Sequence, residues 1–166
     1  MKALIVSGPL FEDSELLVPY YRLLEEGIET QVASLARGAM QGKHGYKVEA
    51  VGLADINDQE YHLLLLPGGK APITLRANST LLELVGRFMT QGKTVAAICH
   101  GPLILASAGV LAGRHLTGVR GIARDIERAG GHYLDERVVV DGNLITSRHP
   151  DDLPYFMREI IKRCRS

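Results

Sequence analysis

Short, unbroken apolar runs alternate along this chain with longer segments whose apolar residues recur every three or four positions. Ala3-Leu4-Ile5-Val6-Ser7, with its β-branched members, has the pattern of a strand covered on both faces. From Asp13 or Ser14 to Glu26, Leu16, Leu17, Tyr20, Leu23 and Leu24 fall near one helical face, and Gly27 supplies a C-terminal stop. Pro19 is expected in the early turns of that helix, where proline is tolerated. Ile28 to Leu35 reads as a second strand, and Gly38 to Val51, with Gly42, Gly45 and alternating side chains, reads as a hairpin or ribbon. Tyr61-His62-Leu63-Leu64-Leu65-Leu66 is a third core strand, cut off by Pro67-Gly68-Gly69, where a loop begins. Asn78 or Ser79 caps a helix bearing Leu81, Leu82, Leu84, Val85, Phe88 and Met89, and Gly92 closes it. Thr94-Val95-Ala96-Ala97-Ile98 is a fourth core strand, after which Gly101-Pro102 opens a short helix running through Ala108. A helix near Ile122 to Ala129, a hairpin turning at Asp141-Gly142, and an amphipathic helix from about Asp151 to Arg163 complete the pattern.

Strands that alternate with helices imply right-handed crossovers, hence an α/β architecture: a doubly wound, mostly parallel sheet with helices on both faces. Ligands bind such sheets beyond the carboxyl ends of the strands. The 166 residues suit a single domain spanning 1–166. Nineteen basic and nineteen acidic residues give zero net charge, and 46% of residues are hydrophobic, which argues against disorder and against a nucleic-acid partner. No apolar run approaches the roughly 20 residues of a membrane helix, so no membrane partner is expected either. The N-terminus leaves apolar sequence at Ser7-Gly8-Pro9, unlike a secretory signal. Two cysteines, Cys99 and Cys164, form neither a disulfide framework nor a metal-ligand pattern, so a reducing cytoplasm fits. Without a Gly-x-Gly-x-x-Gly after the first strand or a phosphate-loop lysine, the nucleotide readings of this fold fall away, and no cofactor or metal is implied.

The sequence Ile98-Cys99-His100-Gly101-Pro102 puts a thiol at a strand-to-helix turn, the position of a nucleophile elbow. Unpaired backbone N–H groups and the positive end of the next helix would lower the thiol's pKa there. His100 is the neighbouring candidate base, with an imidazole able to accept the thiol proton. Gly68 and Gly69, after another core strand, let backbone approach a ligand, and their N–H groups with that of His100 form a candidate oxyanion hole. Glu12, Asp13 and Glu15 follow the first strand, and acids at a helix start often answer the macrodipole alone. Glu15, about one turn in, is the favoured partner for the thiol. The remaining histidines, His44 included, have no comparable context, and Cys164 reads as silent on a fraying end.

These residues resemble the PfpI-type intracellular proteases of the ThiJ/PfpI group, in the superfamily that resembles class I glutamine amidotransferases. The resemblance runs nearly end to end. It is carried by Phe11-Glu12-Asp13-Ser14-Glu15, Gly42-Lys43-His44-Gly45, Leu66-Pro67-Gly68-Gly69, Ala97-Ile98-Cys99-His100-Gly101-Pro102, Gly113-Arg114, Val138-Val139-Val140-Asp141-Gly142-Asn143 and Ser147-Arg148-His149-Pro150-Asp151-Asp152-Leu153. It implies a flavodoxin-like three-layer sandwich. It also implies Cys99 as nucleophile, His100 as its partner, Glu15 in contact with the thiol, and the Gly68, Gly69 and His100 amides as oxyanion hole. Assembly into homodimers, often grouped as hexamers, is implied as well. Two positions depart from the family pattern: Ile73 stands where proteolytic members carry a triad glutamate, and Val119 where some carry a tyrosine.

An isoleucine cannot orient a histidine, and loss of the orienting carboxylate in a hydrolytic triad costs about 10⁴ in rate. The surviving residues fit the glyoxalase and deglycase chemistry also described for this group, on small reactive carbonyls or their adducts. A peptide substrate in the same frame is the alternative. A non-catalytic redox sensor, in which the Cys99 thiol oxidises beside Glu15, is a further one.

Overall fold

The computed structural model describes residues 1–166. Ten strands and six helices follow in the order β1 (Lys2–Val6), α1 (Asp13–Glu25), β2 (Glu29–Ser34), β3 (Gly38–Gln41), β4 (Lys47–Gly52), β5 (Leu63–Leu66), α2 (Ala71–Leu75), α3 (Ser79–Thr90), β6 (Thr94–Ile98), α4 (Pro102–Ser107), β7 (His115–Leu116), α5 (Ala123–Arg128), β8 (His132–Tyr133), β9 (Val138–Asp141), β10 (Leu144–Ser147) and α6 (Leu153–Arg165). Eight strands form one sheet in the order β3-β4-β2-β1-β5-β6-β10-β9. The pairings are parallel except at the two edges, where β3 runs antiparallel to β4 and β9 to β10. Strand order reverses about β1, which lies between β2 and β5, so the carboxyl ends of β1, β5 and β6 converge beside the switch point where open α/β sheets bind ligands.

The central strands are apolar on both faces because helices cover both. All four leucines of β5 and Val95 through Ile98 of β6 are buried, each large side chain contributing about 1.5–3 kcal/mol relative to exposure. α6 buries Leu153, Phe156, Met157, Ile160 and Ile161, the i, i+3, i+4, i+7, i+8 stripe of a helix lying on a core. Asn78 is the cap of α3, its side chain accepting the Leu81 N–H at 3.0 Å. No helix is long and apolar enough to cross a membrane.

The expected elements form, with four adjustments. Pro19 lies in the middle of α1 rather than in its early turns, and it is buried. Having no N–H, it cannot donate to the Glu15 carbonyl one turn earlier. The segment after Gly68-Gly69 is a one-turn helix, α2, begun by Pro72 near its start. β7 and β8, two residues each, make a separate parallel ribbon that no hydrophobic periodicity announces. Cys164 does not lie on a frayed end: α6 continues through Arg165, and the Cys164 side chain packs partly against the core.

Candidate active site

Cys99 follows the last residue of β6 and has a φ of 62°. Left-handed backbone costs a residue with a Cβ about 1–2 kcal/mol, so the surrounding structure must hold it. Three backbone hydrogen bonds do. The Cys99 N–H donates to the Ser147 carbonyl at 3.1 Å, the Cys99 carbonyl accepts the Val119 N–H at 2.9 Å, and the Gly101 N–H donates to the Ile98 carbonyl at 2.9 Å. Gly101 is required because a Cβ there would strike the Leu66 carbonyl oxygen. The reversal leaves the thiol over the sheet's carboxyl edge, 3.4 Å from His100 Nδ1.

The Gly68-Gly69 turn closes on the same sulfur. Glu15, fully buried on α1, accepts the Gly68 N–H at 2.9 Å through Oε1. Its other oxygen, Oε2, is buried with no hydrogen-bond partner. Gly69 has a φ of 87°, and its packing against Phe11 leaves no room for a side chain. The Gly69 and His100 N–H groups both favour the sulfur anion, whereas the Gly68 N–H, expected beside them in the oxyanion hole, is committed to the Glu15 carboxylate and is not free for that role. The residues flagged from sequence, Cys99, His100, Glu15, Gly68 and Gly69, therefore come together at one point.

The electrostatics depart from the sequence-based expectation. The thiol was expected to be lowered by local dipoles. Instead burial, and after it the Glu15 carboxylate, push it up to about 12, outweighing the Gly69 and His100 N–H groups. α4 has only six residues, so its dipole adds little. Glu15 is itself pushed up to about 7 by burial, against the hydrogen bond from Gly68. Two buried anions side by side are costly, so ionisation of the sulfur and ionisation of Glu15 oppose one another. His100 is moved below its usual range by partial burial and then by the positive charge of Lys43. Its ring has Cys99 as its side-chain partner within this chain and no carboxylate, and Ile73 lies exposed on α2.

Glu12 and Asp13 have specific partners beyond the helix dipole. Asp13 accepts the backbone N–H groups of His44 and Tyr46, both at 3.0 Å, and so clamps the turn between β3 and β4. Glu12 pairs with Lys43 and with His44, each at 3.1 Å. His44, set aside on sequence, thus lies at the rim of the site, as does Lys43. The signal for both is the pair of acids at the start of α1, which call for basic or N–H partners somewhere in the fold. The largest surface groove, about 850 Å³ between α1 and α6, touches none of these residues.

An open α/β sheet with a cysteine on a left-handed strand-to-helix bend, facing a buried glutamate and a double-glycine turn, defines a cysteine-centred α/β protein of the flavodoxin-like kind. The DJ-1/PfpI family model matches residues 1–163, and the chain belongs to that family. It is 49% identical over 163 residues to the Pyrococcus furiosus protein named deglycase PfpI, covering 98% of both chains. It is 47% identical over 166 residues to a Thermococcus kodakarensis deglycase, covering 99% of this chain and all of the other. Among solved structures, Drosophila melanogaster DJ-1beta superposes with a TM-score of 0.92 at 29% identity, over 98% of this chain and 89% of that one. A two-domain Anabaena variabilis protein with DJ-1/ThiJ/PfpI-like and ferritin-like domains gives a TM-score of 0.96 at 38% identity over 99% of this chain, which corresponds to half of that longer chain.

Proposed function

We propose that this protein is a Cys99-dependent hydrolytic enzyme of the deglycase or glyoxalase type, acting on small reactive carbonyls or on their adducts with amines. Relatives that carry the deglycase name support the broad class. The observation that carries the finer reading is the pairing of a buried carboxyl raised to about 7 with a half-buried thiol above the double-glycine turn. A carboxyl of that pKa gives and takes protons at neutral pH, which is what carbonyl addition needs.

With a 2-oxoaldehyde the chemistry balances as follows. The Cys99 sulfur bonds to the aldehyde carbon as its proton passes to the His100 ring, 3.4 Å away at Nδ1, and the carbonyl oxygen takes a proton from Glu15 while the Gly69 and His100 amides bear its developing charge. A proton then leaves the former aldehyde carbon for the carboxylate and is returned to the neighbouring carbon, while the hydroxyl proton passes to the neighbouring oxygen, so one carbon is oxidised and the other reduced. Water cleaves the resulting thioester, releasing a 2-hydroxy acid and the free thiol. With a hemiaminal adduct, the amine leaves as the carbonyl carbon is transferred to sulfur. Peptide hydrolysis is the less supported reading, because no carboxylate orients His100 within the chain. Replacing Cys99 by Ala is expected to abolish conversion of methylglyoxal to lactate; a mutant that turns over at the parental rate removes the mechanism.

The proposal extends to assembly and location. A homodimer, with a hexamer as its further grouping, is part of the proposal; what supports the dimer is the outer face of α1, where Val18, Tyr21 and Leu24 are exposed, Val18 also lining a groove shared by Leu153 and Met157 with the basic Arg22 and Arg158. The cytoplasm is proposed because both cysteines are free and Cys99 must remain so to react.

A further inference from the structure

The turn between β3 and β4 carries a cation that the chemistry above does not use. The Lys43 N–H donates to the Phe11 carbonyl at 2.9 Å, and its Nζ meets Glu12 Oε2 at 3.1 Å. The Glu12 N–H in turn donates to the Gly68 carbonyl at 3.2 Å. The ammonium is therefore tied through Glu12 to the same Gly68-Gly69 turn that faces Cys99. Asp13 makes the support rigid by holding the His44 and Tyr46 N–H groups, and a Cβ at Gly42 would collide with its carboxylate.

Lys43 is both held and reachable. Its side chain is 36% exposed, whereas that of Glu12 is 14% exposed. An ammonium carries three N–H donors, and Glu12 is its one side-chain partner here. The charge is near enough to act on Glu15 and His100 and to be acted on by Cys99. An exposed Lys–Glu pair contributes only about 0–1 kcal/mol to stability, so anchoring the fold is a small return for so constrained an arrangement.

We propose that Lys43, oriented by Glu12, is an anion-binding, specificity-determining residue at the mouth of the Cys99 site, favouring carbonyl compounds that carry a carboxylate. This rests on the reading of Cys99 as the reacting nucleophile. The substrate's carboxylate sits against the two free ammonium N–H donors while its aldehyde end reaches the sulfur.

The test compares two alkylating agents of similar shape and different charge, iodoacetate and iodoacetamide, in a Cys164→Ser background. In both, the Cys99 sulfur forms a bond to carbon as the carbon–iodine bond breaks and iodide leaves. Relative to a small free thiol, the parent is expected to favour iodoacetate. Lys43→Met should lower the iodoacetate to iodoacetamide rate ratio about tenfold, for one nearby partly screened charge, and Lys43→Arg should restore it. Glu12→Gln, which frees the ammonium, should raise the ratio. In turnover, the kcat/KM for 4,5-dioxopentanoate relative to methylglyoxal should fall in Lys43→Met and recover in Lys43→Arg. Ratios that do not respond to Lys43 overturn the proposal. A Cys99 inert to both reagents overturns it together with the reading beneath it. A charge preference in alkylation without turnover of either dicarbonyl keeps the anion site and removes the carbonyl-enzyme reading.

Discussion

The Gly68 N–H donates to Glu15 Oε1 at 2.9 Å, joining residues 53 positions apart at the centre of the candidate site. The contact admits no side chain. A Cβ on Gly68 would lie 2.5 Å from that oxygen, 2.6 Å from Cys99 Cβ and 3.1 Å from the His100 nitrogen. Gly68→Ala is therefore expected to lower turnover at least about 100-fold, as an ångström-scale displacement of the reacting groups does, with a stability cost of about 1–3 kcal/mol for overpacking. Steady-state kinetics beside a urea titration checks this, and a variant with parental activity would mean the turn does not position the reacting groups.

Glu15 makes stability depend on pH in a calculable direction. Its carboxyl titrates at about 7 in the folded chain against 4.5 as reference, so the folded state retains a proton that the unfolded chain releases. Its contribution is most favourable below the unfolded value and declines as pH climbs through that window. Glu15→Gln escapes the decline, and its stability relative to the parent should grow between those limits by at most about 3 kcal/mol. Melting temperatures of both proteins across the window would test this; a constant gap would show that the carboxyl is not raised. The same variant should slow aldehyde conversion at least about 100-fold for want of a proton donor.

The left-handed backbone at Cys99 separates chemistry from strain. Cys99→Ala and Cys99→Gly both remove the sulfur and should be equally inactive. Glycine accepts the 62° φ without penalty, so Cys99→Gly should be more stable than Cys99→Ala by up to about 1 kcal/mol. Equal urea midpoints would argue that the bend is unstrained.

Asp13 is expected to govern order in the turn that carries Lys43. Asp13→Ala leaves the His44 and Tyr46 N–H groups without their acceptor, at a cost of about 3–6 kcal/mol for two hydrogen bonds to a charged group. Hydrogen exchange should quicken at those two amides first. Unchanged protection there would show that the clamp is dispensable.

The proposed homodimer predicts a hydrodynamic mass of at least two chains. Placing an acid at Val18 or Tyr21, on the exposed face of α1, should shift sedimentation toward the single chain without altering the far-ultraviolet spectrum. A parent that sediments as one chain at micromolar concentration would end this part of the proposal.

Much of the fold was legible because its signals are local. The leucine run of β5 and the Thr94–Ile98 run of β6 declare buried strands, and the stripe from Leu153 to Ile161 declares an amphipathic helix. β7 and β8 were invisible because two residues carry no period. Pro19 was misplaced by about a turn because packing of the buried α1 face overrides a missing hydrogen bond.

The candidate site divides in the same way. Residue type, order and local turn chemistry marked Cys99 after a core strand, small residues for tight turns at Gly68, Gly69 and Gly101, and Glu15 one turn into a helix. Those properties belong to a few neighbouring residues. The sign of the thiol's shift does not, since it depends on how much water the folded chain removes and on a carboxylate 84 positions away in sequence, between Glu15 and Cys99. The same holds for Lys43, which reaches the sulfur's surroundings only because Asp13 and Glu12 draw a distant hairpin turn against α1. Desolvation and long-range charge are properties of the packed chain, so tertiary structure alone decided them.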